Sequence, residues 1–209
     1  MVASRSSDTL SERKRALRRD MADRREALAD EERRARSAAA AAQLLALPEL
    51  ALVEGRVVSG YIAIKGEIDP AGALAALQAQ GASIALPRVS LAVPSLRFHL
   101  VGPGVGMVTS SRFGLIEPEE SAPRVAARDI AVMIVPGMAF DREGRRLGFG
   151  GGYYDGVLAG ARASGRTAIV GFAYEFQIVD AVPAGAADLP VDLVVTDERV
   201  WRPGGSKAQ

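Results

Sequence analysis

Residues 129–136, DIAVMIVP, and the stretch behind them, GMAFDREGRRLGFGGGYYDG (137–156), decide the fold. The first is a continuous apolar run of strand length, ended by Pro136. An unbroken run, rather than an alternating one, fits a strand covered on both faces. The second is a long loop that leads into a helix beginning near Tyr153. Strand, loop and helix in that order form the repeating unit of a parallel sheet wrapped by helices.

Outward from this unit the same pattern recurs. Residues 57–64, VVSGYIAI, read as a buried strand, and GEIDP (66–70) as a turn. Pro70 stands at the mouth of a helix, AGALAALQAQ (71–80). ASIALP (82–87), TAIVGFAY (167–174) and VDLVVTD (191–197) read as further short strands. LRFHL (96–100) alternates and reads as an antiparallel or edge strand, with a GPGVG loop (102–106) behind it. Towards the N-terminus, Thr9 and Glu12 make a capping-box pattern ahead of a charged helix. Leu10, Leu17, Met21 and Leu28 can share one face of it. Asp30 is placed to cap a second helix that runs through SAAAAAQLLAL (37–47) and is stopped by Pro48.

The expectation is therefore an α/β fold. A single domain spans residues 9–202, with N-terminal helices over 9–47, a largely parallel central sheet flanked by helices, and flexible tails at 1–8 and 203–209. Ligands of such sheets collect beyond the carboxyl ends of strands. Three loops take that position: IKGEID (64–69), the glycine-rich loop after residue 136, and AYEFQ (173–177).

Composition narrows the function classes. The 209 residues suit one compact domain, and 48% hydrophobic content opposes bulk disorder. With 26 basic against 25 acidic side chains, the net charge of +1 sets up no broad field for nucleic acid. Any anion site must be local. Cysteine is absent, which removes disulfides, thiol catalysis and thiolate-bound metals. No apolar run reaches the ~20 residues of a membrane helix, and MVASRSSDTLSERKR has no apolar core of a secretory signal. The reading is a soluble cytoplasmic protein, monomeric, with no membrane or nucleic-acid partner.

RRLGFGGGYYDG (145–156) is where chemistry concentrates. Gly148, Gly150, Gly151 and Gly152 let the backbone approach a ligand closely. Successive N–H groups in such a loop cradle phosphate oxygens, and the start of a helix adds donors and a favourable dipole. Arg145 and Arg146 supply fixed positive charge, and Asp155 is placed to hold Mg²⁺ against the phosphates. The alternative is a ligand-free glycine turn. No GK[ST] follows the glycines, so this is not a Walker A loop, and Tyr153 stands where a dinucleotide fingerprint needs its last glycine.

VPGMAFDREGRRLGFGGGYYD (135–155) resembles the signature of the 5-formyltetrahydrofolate cyclo-ligases, also called methenyltetrahydrofolate synthetases. KRALR (14–18), YIAIKGEID (61–69), GFAYEFQ (171–177) and DLPVDLVVTD (188–197) resemble that family's other motifs in the same order, so the resemblance covers residues 12–198. It implies a fold similar to the NagB/RpiA/CoA-transferase-like class. It also implies ATP- and Mg²⁺-dependent closure of 5-formyltetrahydrofolate to 5,10-methenyltetrahydrofolate through a phosphorylated formyl group. The other readings are a non-catalytic protein binding reduced folate and ATP, or another ATP-dependent ligase on the same fold.

The resemblance also implies residue roles. Lys14, Arg15 and Arg18, Arg146, Leu147, Gly148, Phe149, Gly150, Gly151, Gly152, Tyr153 and Tyr154 fall at the ATP-binding positions. Read as helix chemistry alone, Arg13, Arg15 and Arg19 are instead a solvated basic face. Arg146, Gly150 and Tyr153 fall where the reaction takes place. Arg18, Ile62, Glu67, the three glycines 150–152 and Tyr174 fall at the folate positions, with Glu67 suited to accept from a pterin's amino and ring N–H groups. Tyr174 either stacks on a flat ring or is plain core. Gln177 is a further pocket residue. Asp155 and Asp188 are the metal carboxylates, although Ala187 departs from the His that precedes the second carboxylate in many relatives. Asp192 instead caps or pairs near the last strand. Gly156 stands where many relatives carry Arg. Phe140 reads as core under the loop, Asp141 as a brace for its shape, His99 as a strand residue and Trp201 as a clasp for the C-terminus.

Overall fold

The computed structural model describes residues 3–90, 95–110, 114–183 and 189–204. In chain order the elements are α1 (Ala3–Glu26), α2 (Asp30–Leu45), β1 (Val57–Ser59), α3 (Ala71–Ala79), β2 (Ser83–Val89), β3 (Leu96–Val101), β4 (Met107–Thr109), β5 (Ile116–Pro118) and β6 (Arg124–Val125). There follow β7 (Ile130–Val135), β8 (Ala139–Asp141), β9 (Arg146–Leu147), α4 (Tyr153–Ser164), β10 (Ala168–Phe172), β11 (Ile178–Val179), β12 (Leu193–Val195) and β13 (Val200–Trp201).

Among the described residues, eight strands form the central sheet in the order β13-β12-β10-β7-β1-β2-β3-β6. Its middle is parallel: β2, β1, β7, β10 and β12 run the same way. Both edges are antiparallel, through β3 and β6 on one side and β13 on the other. LRFHL is thus an antiparallel strand, as its alternation implies.

Side chains alternate along each strand, so the apolar runs feed two cores. Val132 and Ile134 of β7, Val170 and Phe172 of β10, and Leu193 and Val195 of β12 face the core that holds Ala40 and Leu44 of α2 and Leu74 and Leu77 of α3. Ile130, Met133 and Val135, with Ile169 and Val194, face the opposite core, with Val157, Leu158 and Ala161 of α4. Leu44, Leu77 and Leu158 are nearly or wholly buried. Each contributes roughly 1.5–3 kcal/mol by leaving water.

Three local expectations change. The first helix starts at Ala3, ahead of Thr9, because nothing in residues 3–8 breaks a helix. The second begins with Asp30 inside its first turn, and Ala29 takes the cap position without a side-chain bond. Strand β1 ends at Ser59 rather than Ile64, since a short apolar run does not distinguish a strand from buried irregular chain. A Cβ on Gly60 would lie 2.5 Å from Leu74 Cδ1, so the chain there passes hard against α3 before turning.

The long loop after β7 contains structure of its own. Strands β8 and β9 pair as a hairpin, and β11 adds a parallel strand. Asp141 is the brace expected from the sequence. It is almost wholly buried and accepts from the Glu143, Arg145 and Val182 N–H groups. Phe140 is buried beneath, with its ring filling the space beside Gly137 and Gly171. Helix α1 lies across this hairpin, and Met21 and Leu17 pack on Met138 and Leu147. That contact brings the basic face of α1 to the glycine loop.

Candidate active site

The carboxyl ends of β1 and β7 open into a cleft with a volume of about 610 Å³, within the ~300–1,000 Å³ range of small-molecule sites. One wall is the glycine loop, the opposite wall is the 61–67 segment, and α1 closes one side. Lys14, Arg18, Ile62, Glu67, Arg146 and Asp155 all line it, as do residues 147–154. These positions lie far apart in the chain, yet the fold brings them together.

The glycine loop is held from outside. Arg18 Nε donates to the Gly148 carbonyl at 2.8 Å. Gly150 takes φ +101°, and a Cβ there would lie 3.2 Å from an Arg18 terminal nitrogen. Only glycine adopts that backbone beside the guanidinium without strain. Helix α4 then begins at Tyr153 with Gly152 as its cap and no side-chain cap. Its first N–H groups therefore add to the donors of the loop at the same wall.

Arg146 is mostly buried on its side-chain surface and ties three parts of the loop. It donates to the Pro136 carbonyl at 3.3 Å and to Asp155 Oδ1 at 3.2 Å, and it stacks over the Tyr154 ring at 5.3 Å. Burial pushes the Tyr154 phenol up, with the nearby charge of Glu67 adding to it, so it stays protonated. Tyr153 lines the cleft directly. Phe149 stands 45% exposed at the rim, flanked by Lys65 and Arg25.

The facing wall is built differently. Lys65 takes a left-handed φ of +48°, and Gly66 follows at +69°. A tight turn of this kind stores local strain. It folds Glu67 inward until the residue is 4% exposed. One carboxylate oxygen accepts the Ile64 N–H at 3.0 Å, while the other has no hydrogen-bond partner. Burial pushes the Glu67 carboxyl up to about 7, against the pull of the Ile64 N–H, Arg25 and Lys65. A buried carboxylate with a spare oxygen suits a ligand that presents N–H donors.

Three positions, Arg15, Tyr174 and Gln177, do not join the cleft. Arg15 is exposed on α1, which is the solvated-face reading of that helix. Tyr174 is wholly buried, stacked on Phe176 at 5.2 Å within the main core, and does not line the cleft. Of the two readings of Tyr174, core is the one realised. Gln177 is buried too, and holds the chain by donating to the Gly137 and Met138 carbonyls. Asp192 pairs with Arg162 and accepts the Ile169 N–H. His99 is buried with its ring nitrogen on the Ala122 carbonyl, and Trp201 donates to Glu175. Asp188, with Ala187, lies outside the described residues.

Among the described residues no group of three or more His, Cys, Asp and Glu could hold a metal ion by itself. Asp155 fits a different mode. It is half exposed on its side-chain surface, in the first turn of α4 beside the glycine loop. Mg²⁺ is often held by one or two carboxylates together with substrate phosphates and water.

Residues 10–197 match the 5-formyltetrahydrofolate cyclo-ligase family. The chain belongs to that family. The chain is 31% identical to the Escherichia coli 5-formyltetrahydrofolate cyclo-ligase over 180 residues, 85% of the chain and 97% of the relative. Its fold is similar to the Aquifex aeolicus 5,10-methenyltetrahydrofolate synthetase, with a TM-score of 0.77 and 34% identity over 94% of this chain and 95% of that one. The Mycoplasma pneumoniae 5,10-methenyltetrahydrofolate synthetase shares the fold at a TM-score of 0.69 and 22% identity, over 88% and 98% of the two chains. The matched region takes in every cleft residue named above. Two features of the site carried no signal in the sequence reading. They are the burial of Arg25 and the cover given by Glu117 of β5, which lines the cleft and accepts the Val89 N–H.

Proposed function

We propose that this protein closes 5-formyltetrahydrofolate to 5,10-methenyltetrahydrofolate with conversion of ATP to ADP and phosphate. The observation that carries the reading is the polarity of the cleft. One wall offers backbone N–H groups backed by Arg18, Arg146 and Lys14, and the other offers a buried acceptor, Glu67. The first suits a triphosphate and the second the N–H edge of a pterin.

The reaction asks for alignment and charge neutralisation rather than a protein nucleophile. The formyl oxygen attacks the γ-phosphorus, and ADP leaves. Nitrogen 10 then attacks the activated carbon, phosphate leaves with the oxygen, and the nitrogen 10 proton is lost. Gly148–Gly152 hold the phosphates, Arg146 meets the charge that develops on the transferred group, and Tyr153 borders the reacting centre. Glu67 fixes the pterin, with Ile62 against its face. Mg²⁺, held by Asp155 and the phosphates, supplies further charge neutralisation when bound. All of these residues come from one chain, in keeping with a monomer. No described helix is long and apolar enough to cross a membrane, and the reading assigns the enzyme to the cytoplasm.

The test is the absorbance of the methenyl product with purified protein, Mg²⁺, ATP and 5-formyltetrahydrofolate. A rise that needs both ATP and Mg²⁺ is expected. Folate binding without ATP consumption would favour a non-catalytic binding protein instead.

A further inference from the structure

Arg25 is the most unusual side chain near the cleft. It sits in the last turn of α1, yet it is only 2% exposed, in a class of residue almost never buried without a partner. It does not line the cleft. Its two terminal nitrogens reach the turn after β7, donating to the Gly137 carbonyl and the Met138 sulfur. The guanidinium also lies 6.0 Å from the Phe149 ring at the glycine-loop rim. On its other side is the Glu67 turn. A Cβ on Gly66 would lie 3.4 Å from both Arg25 Cβ and the Arg25 carbonyl oxygen. Arg33 completes this packing. It donates to that same carbonyl, and its terminal nitrogen leaves only 2.7 Å to a Gly66 Cβ.

From these contacts we infer that Arg25 is a positioning residue that couples the two walls of the cleft. Its donors fix the turn that leads into the phosphate loop, and its backbone and charge hold the Glu67 turn with the carboxylate available to the pterin. The inference rests on the proposed folate chemistry for its kinetic arm alone. Burial lowers the Arg25 pKa from its usual value, and Glu67 opposes that shift, so the two groups share a field. The other groups that bear on Glu67 are Lys65 from its own turn, Tyr61, and Tyr154 from α4, with Arg33 and Asp69 bordering a shallower groove behind it. Of these, Arg25 is the buried cation. Removing it should therefore raise the proton affinity of Glu67 further.

The experiment uses Arg25→Met, Arg25→Lys, Glu67→Gln and the Arg25→Met/Glu67→Gln pair in the full chain. In the apoprotein, the gain in melting temperature from Glu67→Gln at pH 8 should be larger in the Arg25→Met background, by about 3 °C or more. Equal gains in both backgrounds overturn the inference, whether or not the protein turns over folate. In the enzyme, Arg25→Met should move the acid limb of kcat/KM for 5-formyltetrahydrofolate up by about one pH unit. Arg25→Lys keeps the charge but loses the two-pronged grip. It should leave that limb in place while raising the KM for ATP by about fivefold. An unchanged ATP KM in Arg25→Lys overturns the inference even if Arg25→Met does not fold.

Discussion

The two walls of the cleft solve opposite electrostatic problems. The glycine loop presents donors at the surface, where Gly150 and Gly152 take positive φ and α4 begins without a side-chain cap. The Glu67 turn hides an acceptor, with one oxygen bonded to the Ile64 N–H and the other left over. Donors at a solvated rim cost little before ligand arrives. A buried carboxylate is costly until it is paired. On the proposed reading, ATP would meet a preformed surface, whereas folate would relieve a local penalty. Substitutions on the two walls should therefore differ in kind as well as in size.

The largest effect is expected at the donor wall. Arg146→Ala removes the group that ties Pro136, Asp155 and the Tyr154 ring together and that, on the proposed mechanism, meets the transferred charge. Loss of one such electrostatic contact costs about 10²–10³ in rate. Steady-state assays should show kcat falling on that scale while the folded protein still binds folate. A kcat within a few-fold of the parent would break the assignment of this wall.

At the acceptor wall the signature should be split between substrates. Glu67→Gln should raise the KM for 5-formyltetrahydrofolate by about 10–100-fold through loss of a charge-assisted pair, with the ATP KM nearly unmoved. The same change should stabilise the empty protein. Glu67 titrates near 4.5 ordinarily and at about 7 in the fold. Its folded pKa is raised, so the native state holds the proton more tightly. The stability linked to that proton is fully present below about pH 4.5 and is lost as pH rises through 7. Glutamine mimics the protonated form at every pH. The gain at pH 8 should be on the order of 3 kcal/mol and should vanish below pH 4.5, as urea melts across pH can check. A variant that loses folate affinity with no gain in stability at pH 8 would mean that the carboxylate is not penalised in the apoprotein.

Asp155→Ala sharpens the comparison on a smaller scale. The carboxylate is half exposed, and its ion pair with Arg146 contributes at most about 1 kcal/mol to stability. The melting temperature should barely move. At limiting Mg²⁺, kcat/KM for ATP should fall by about tenfold and recover in part as Mg²⁺ is raised. Normal turnover at limiting Mg²⁺ would remove Asp155 from the metal site.

What the sequence made legible follows the same division. Continuous apolar runs such as DIAVMIVP announced buried parallel strands because burial on both faces leaves a one-dimensional trace. Glycine, arginine and helix start within residues 145–156 announced the donor wall for a similar reason, since its chemistry is local in the chain. The acceptor loop was legible from its place after a strand, but the role of Glu67 only through family resemblance. Its burial comes from a left-handed turn at Lys65 packed under Arg25 and Arg33, residues that read as ordinary helical cations. The β8–β9 hairpin was hidden too, because two- and three-residue strands are too short to show a period. Strand order depends on contacts between distant residues, and no pattern within a single run encodes it.

Tyr174 is the position where chemistry in the sequence and place in the structure part most clearly. An aromatic in GFAYEFQ, after a strand that points at the site, is a reasonable partner for a pterin ring. Here the ring is stacked on Phe176 at 5.2 Å and closed off from the cleft. Its hydroxyl oxygen is buried with the Ser37 side chain nearby but no hydrogen bond of good geometry. Burial pushes the phenol up from its ordinary value, so the hydroxyl stays neutral at working pH. Tyr174→Phe keeps the stack and removes only that hydroxyl. Both KM values should stay within about twofold of the parent, because a residue outside the cleft has no contact with ligand to lose. Stability should hold or rise by up to about 1 kcal/mol, since an unpaired buried hydroxyl carries a desolvation cost. A folate KM that rose tenfold with an unchanged melting temperature would place the hydroxyl against the ligand, and would move part of the acceptor wall from β1 to β10.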